Sequence, residues 1–152
     1  MKISVLGKND KLSKKDIKHV LNFVCDLLIG KRLCNNISIT VRNEKFKKHE
    51  WGYCGPTDYY NRNYREFEIL LNRTASKRNQ IITLLHEAVH VKQYARREFL
   101  CHDPENFRWL GKKVKIKLSD YDNLPWEIEA ISSEKTLCEQ LAKKMKLDNI
   151  TV

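Results

Sequence analysis

The chain has 152 residues, of which 41% are hydrophobic and 32% charged, and a formal net charge of +10. That length suits one domain built round one core and leaves little room for two, while the charged content excludes a membrane-embedded or collagen-like chain. The positive excess brings nucleic acid into consideration as a partner; the cations, however, are mostly dispersed lysines with no arginine-rich tract or helix-turn-helix pattern, and a solvated lysine-rich surface is the plainer reading.

From Met1 to Gly7 the apolar run is too short for a secretory signal. Nothing later approaches the roughly 18 apolar residues of a membrane span. A cytoplasmic monomer with no membrane contact is therefore expected. Five cysteines, Cys25, Cys34, Cys54, Cys101 and Cys138, are odd in number and form no C-x-x-C pair, so they read as reduced, mostly buried thiols rather than a disulfide framework or zinc ribbon.

The first clear element is a helix. Ser13-Lys14-Lys15-Asp16 resembles a capping box with Asp in place of Glu, and Ile17, Val20, Leu21, Val24, Leu27 and Leu28 then recur at helical spacing until Gly30 can end the run. Residues 36–42 alternate apolar and polar, which predicts a half-buried strand, and 51–56 read as turn-rich. A second strand spans 67–72, and its free edge beside the next helix would suit an extended peptide. Thr74 and Ser76 then offer caps for that helix, from about 77 to 97, on which Ile81, Leu84, Leu85, Ala88 and Val91 form an apolar stripe. Residues 108–118 suggest a strand or hairpin, 120–125 a connection, and about 126–145 a last helix with Pro125 suited to its first turn. This order predicts a single α+β domain with helices on one face of a small sheet.

The helix over 77–97 carries His86-Glu87-Ala88-Val89-His90. Histidines four positions apart lie about 40° apart round a helix and can ligate one metal ion, while the residue after the first is turned about 100° away. Glu87 therefore stands where a general base belongs, and the pattern is the H-E-x-x-H signature in which zinc activates a water. Two partly buried core histidines would also satisfy the pattern.

A catalytic zinc takes three protein ligands and keeps one position open. Positions 93 and 96 hold Gln93 and Arg96 instead of the glycine and histidine of the extended metzincin motif, which excludes that option. Two sources of a third donor remain: His102, past the end of the same helix, and the pair Glu127 and Glu129. Steps of three, four, eleven and fourteen from Glu127 reach Ala130, Ile131, Cys138 and Leu141, an inward side; from Glu129 they reach Ser132, Ser133, Gln140 and Lys143, a polar one. Glu127 is the expected ligand and Glu129 is solvent-facing or supports a ligand; a first-turn acid favoured by the helix dipole is the plainer account of Glu127. Tyr94, one turn after His90, could orient a substrate or support a ligand, although packing on the last helix explains it as well. Gln93 either bonds a ligand or faces solvent. Tyr53, His49 and Tyr121 fall in expected loops from which a hydrogen-bond donor could reach the site, and Trp109 and Trp126 read as core or cover.

"HEAVHVKQY" followed by "WLGKK" and "YDNLPWEIEA" resembles small phage-type and bacterial gluzincin-like metallopeptidases related to the SprT-like and minigluzincin groups, over roughly residues 66–140. The resemblance implies a minimal zincin fold, zinc on His86, His90 and Glu127, Glu87 as base, and peptide-bond hydrolysis of a protein or peptide substrate. It also suggests a virus-encoded protein working in a host cytoplasm. One departure keeps an alternative: "HDPENF" from His102 is similar to the segment that supplies the third histidine in SprT/Spartan-type proteases, but it lacks the glycine and has one extra residue. Two other functions stay open, a nucleic-acid-associated Spartan-like protease and a noncatalytic zincin-like binding protein.

Overall fold

The computed structural model describes residues 1–46, 51–60, 63–101, 107–115 and 118–145. Strand β1 (Lys2–Leu6) leads into helix α1 (Lys14–Leu28), the short α2 (Lys31–Cys34) and strand β2 (Ser38–Glu44). Next come β3 (Gly52–Pro56), β4 (Glu66–Asn72) and helix α3 (Lys77–Ala95). A small hairpin unit, β5 (Phe99–Cys101), β6 (Phe107–Trp109) and β7 (Lys112–Val114), then precedes a 3-10 turn over Leu118–Asn123 and helix α4 (Pro125–Met145). The architecture is α+β, as expected.

The main sheet has the order β1-β2-β4-β3, with β1, β2 and β4 parallel and β3 antiparallel to β4. In register, Ile3, Ile39 and Phe67 form one row and Val5, Val41 and Ile69 the next, all buried. These rows meet Ile17, Leu21 and Val24 of α1 and Leu84, Leu85 and Ala88 of α3 in one core. The alternate rows point away from the helices: exposed Arg42 pairs with Glu68 on that side, while Ser4 and Thr40 are half-buried. Parallel sheets are ordinarily covered on both faces. Here the period-two pattern of β2 keeps one face polar, and helices cover the other.

The caps fall where the sequence puts them. Ser13 Oγ accepts from Asp16 N at 3.1 Å and donates to Asp16 Oδ2 at 2.8 Å, and Gly30 follows α1 at φ 88°. Ser76 Oγ accepts from Asn79 N at 3.1 Å and starts α3. Leu27 departs from the expected core face and is exposed.

Five further readings need correction. The segment 1–7, taken only as an apolar run, is strand β1. The turn-rich 51–56 is strand β3, the edge of the sheet, and β4, expected to offer a free edge, is paired on both sides by β2 and β3. The strand or hairpin expected over 108–118 is a hairpin that ends at Val114, and the 3-10 turn begins at Leu118. Finally, α3 is not a helix with one apolar stripe. It is buried nearly all round, including Gln80, Thr83, Glu87, His90 and Gln93, because sheet, α1 and α4 pack on it from several sides.

Candidate metal centre

Gln80, Thr83, Glu87 and His90 recur at helical spacing as a polar stripe on α3. Buried polar groups require partners: Gln80 finds Asn9 and the Arg73 and Ala75 carbonyls, and His90 meets the first turn of α4. His86 Nε2 lies 3.3 Å from Glu127 Oε2, His90 Nε2 lies 3.4 Å from Glu127 Oε1, and the two Nε2 atoms are 3.2 Å apart. Three donor atoms from two helices thus converge on one point and could hold a metal ion.

The outward nitrogens fix the tautomers. His86 Nδ1 is 2.9 Å from Glu134 Oε1; a carboxylate oxygen accepts, so Nδ1 carries a hydrogen, and Nε2, which faces Glu127, is the nitrogen that would ligate a metal once it gave up its own. For His90 the same result comes through an amide. Gln93 Nε2 donates to Trp126 O at 2.9 Å and to Glu129 Oε2 at 2.8 Å, which leaves Gln93 Oε1 to accept from His90 Nδ1 at 2.8 Å. Glu129 is held in turn by Lys92 Nζ at 2.7 Å, and Lys92 also reaches Glu98 at 2.6 Å. Glu129 is therefore tied to α3, supporting a candidate ligand at one remove.

The charges are strongly coupled. Burial pulls the His86 imidazole down, but Glu127 and Glu134 outweigh it and hold its pKa at about 10. His90 is likewise raised against its burial by Glu127 and Glu87. Burial would raise Glu127, yet hydrogen bonds from His86, His90 and Tyr121 hold it well below the usual carboxylate range. Glu87 behaves oppositely: burial lifts it to about 7 despite the nearby histidines. No hydrogen bond from another described residue engages the Glu87 carboxylate, whereas Glu127, Glu129 and Glu134 are all held.

These groups open onto a cleft of about 920 Å³ between α3, α4 and β3. One part of its wall is aromatic: Phe99 stacks on Trp126 at 4.2 Å between centroids, with Phe107 at 6.1 Å from each. On the opposite side β3 comes very close to α3. A Cβ built at Gly52 would meet Thr83 Cγ2 at 2.4 Å and Glu87 Oε1 at 3.0 Å, so only glycine lets the strand lie there.

Of the residues singled out from sequence, His86, His90 and Glu127 converge, Glu87 lies beside them, and Glu129 and Gln93 support them. Tyr121 hydrogen-bonds Glu127. Tyr94 lines the cleft and packs on Tyr64, Phe67 and Phe99. His49 and His102 lie outside the described residues. Glu134 was missed, although its position two helical turns after Glu127 places it on the same face of α4. Gly52 was missed as well, since nothing local distinguishes a close-approach glycine from a turn glycine. No family model, curated protein or solved structure matches the chain.

Proposed function

We propose that the chain is a zinc-dependent peptidase of the gluzincin kind. The convergence of the two Nε2 atoms and the Glu127 carboxylate carries this reading. The two Nε2 atoms, 3.2 Å apart, are spaced like the edge of about 3.3 Å of a tetrahedron with metal–ligand bonds of about 2.0–2.1 Å, and the Glu127 carboxylate sets one oxygen against each nitrogen, at 3.3 and 3.4 Å. Two imidazole nitrogens and one carboxylate oxygen also make a donor set suited to zinc.

Zinc held there would supply a Lewis acid for a carbonyl and a lowered pKa for water. The remaining work falls to the chain. Glu134 and Gln93 hold the imidazoles with Nε2 inward, and Tyr121 and the histidines keep Glu127 ionised. Glu87, the unengaged carboxylate, can take a proton from the attacking water and pass it to the leaving amine. The edge of β3, with no further strand beyond it among the described residues, can pair with an extended peptide backbone, and the aromatic wall can take an apolar side chain.

The test is metal content by mass spectrometry, read beside cleavage of a mixture of quenched fluorescent peptides. About one zinc per chain is expected, lost in His86→Ala and Glu127→Ala and kept in His102→Ala. Glu87→Gln should hold zinc as wild type does and cleave nothing. Cleavage by Glu87→Gln at the wild-type rate would refute the assignment of the base, and zinc kept in Glu127→Ala but lost in His102→Ala would replace the third ligand.

A further inference from the structure

The hairpin unit that follows α3 has two faces. Phe99 and Phe107 line the cleft. The opposite face carries a row in which Leu100, Arg108 and Lys113 are cross-strand neighbours. Exposed Lys115 follows β7, exposed Lys112 begins it in register with Trp109 rather than in this row, and exposed Arg96 and Arg97 lead into β5. None of these six cations has a carboxylate partner among the described residues. Glu98, the one acidic residue described within 96–115, is engaged by Lys92.

Backbone conformation sets the same unit apart. Among the described residues, the non-glycine residues at positive φ are Arg97, at 62°, and Leu110, at 48°. Arg97 ends α3 in a Schellman arrangement, with its N–H on Tyr94 O at 2.9 Å and the Glu98 N–H on Gln93 O at 2.8 Å; glycine is the ordinary residue at that position. Leu110 and Gly111 form the two-residue turn between β6 and β7, where asparagine or glycine is favoured at the first position. Leu110 is 63% exposed, so burial does not compensate its strain. Its N–H bonds Glu98 O at 2.7 Å, which sets the hairpin tip beside the Arg97 turn. Two strained residues whose side chains add little to the fold, side by side in a cationic patch, point to function.

We propose that this face binds the phosphate backbone of a nucleic acid, with Arg97, Arg108 and Lys113 on phosphates and Leu110 against sugar or base. Adjacent strands lie about 4.8 Å apart, so the row presents closely spaced cations that suit a densely charged polymer better than the sparser carboxylates of a folded protein. An anionic membrane would call for a broader apolar surface than one leucine.

The experiment is fluorescence anisotropy of the full chain with labelled single-stranded and duplex oligonucleotides of about 20 nucleotides, between about 50 and 200 mM salt. Binding should weaken log-linearly with salt. Arg108→Gln/Lys113→Gln should reduce the slope by about 1.8 on duplex or about 1.4 on single strand, while Lys15→Gln/Lys18→Gln on α1 leaves it unchanged; comparison of the two probes tells which form is preferred. Leu110→Gly should raise the melting temperature and lower the affinity. Absence of binding at about 50 mM salt, equal losses in the two double variants, or preference for phosphatidylserine vesicles over either oligonucleotide would overturn the proposal. Unchanged affinity in Leu110→Gly would overturn the role of the tip.

Discussion

Replacing Gln93 by leucine separates the positioning of His90 from the packing of α3 on α4. The side chain is fully buried and makes three hydrogen bonds, at 2.8, 2.9 and 2.8 Å, to His90, Trp126 and Glu129. Leucine fills much of the volume and makes none of them. Glu129 keeps Lys92, but His90 Nδ1–H and the Trp126 carbonyl lose a buried partner, at about 1–3 kcal/mol each. The metal-free variant should therefore unfold about 2–6 kcal/mol more easily, measured by guanidinium titration followed by circular dichroism. Zinc affinity, measured against a chromophoric chelator, should fall about 10–100-fold, because nothing then holds the His90 tautomer and ring orientation. Gln93→Glu is the companion variant: it keeps an acceptor for His90 but cannot donate to Trp126 O and sets a charge beside Glu129, so it should lose stability while retaining more of the zinc affinity. If Gln93→Leu loses stability as expected yet binds zinc within about twofold of wild type, well short of the loss expected for such a partner, Gln93 only packs the helices and the tautomer argument is wrong.

Other consequences can be measured independently. Gly52→Ala forces a Cβ into Thr83 and toward Glu87; a loss of about 1–3 kcal/mol is expected, and a variant as stable as wild type would show that β3 does not lie this close. Arg97→Gly relieves a left-handed residue at the end of α3 and should stabilise by about 1 kcal/mol; thermal unfolding reads it, and a lower melting temperature would contradict the strain assignment. Burial lifts the thiols of Cys25, Cys54 and Cys138 and holds Cys34 at about 11. At mildly alkaline pH a thiol reagent should modify half-buried Cys101 well before these four, and uniform labelling of all five would refute the described packing. Stripping metal with a chelator should lower the melting temperature of wild type and leave that of His86→Ala unchanged, since a ligand bound only by the folded state adds stability by mass action.

What sequence reasoning could reach depended on whether the information was local. Helix α1 was legible because Ser13, Asp16, a 3.6-residue apolar period and Gly30 all act within one element. The Glu127 assignment also rested on local geometry, since the steps from 127 and 129 sort the two glutamates by helix face. Strand β1 was not legible as a strand: its five residues gain their meaning from register with Ser38–Arg42, far along the chain. Likewise Gly52 reads as a turn residue until α3 is placed against it. Gln80, Thr83, Glu87 and His90 lie buried on α3 although polarity ordinarily marks exposure, because the sheet, α1 and α4 all pack round that helix. Periodicity reports where polar groups sit on an element but not whether another element brings partners to them.

That distinction bears on why the candidate site belongs to two helices rather than to the H-E-x-x-H pattern alone. Without α4, His86 would have no acceptor for Nδ1, His90 would keep only Gln93 of its own helix, and neither Nε2 would have a counter-charge, a costly arrangement for groups so little exposed. Helix α4 meets both needs from one face: Glu127 stands between the Nε2 atoms, and Glu134, two turns on, takes Nδ1 of His86. Gln93 completes the set by accepting from His90 while donating to the Trp126 carbonyl at the start of α4. The same contacts that orient the imidazoles therefore fix how far α4 slides along α3. A slip of one turn would carry Glu127 about 5.4 Å from the histidines, so the register of two packed helices and the integrity of the candidate metal centre stand or fall together.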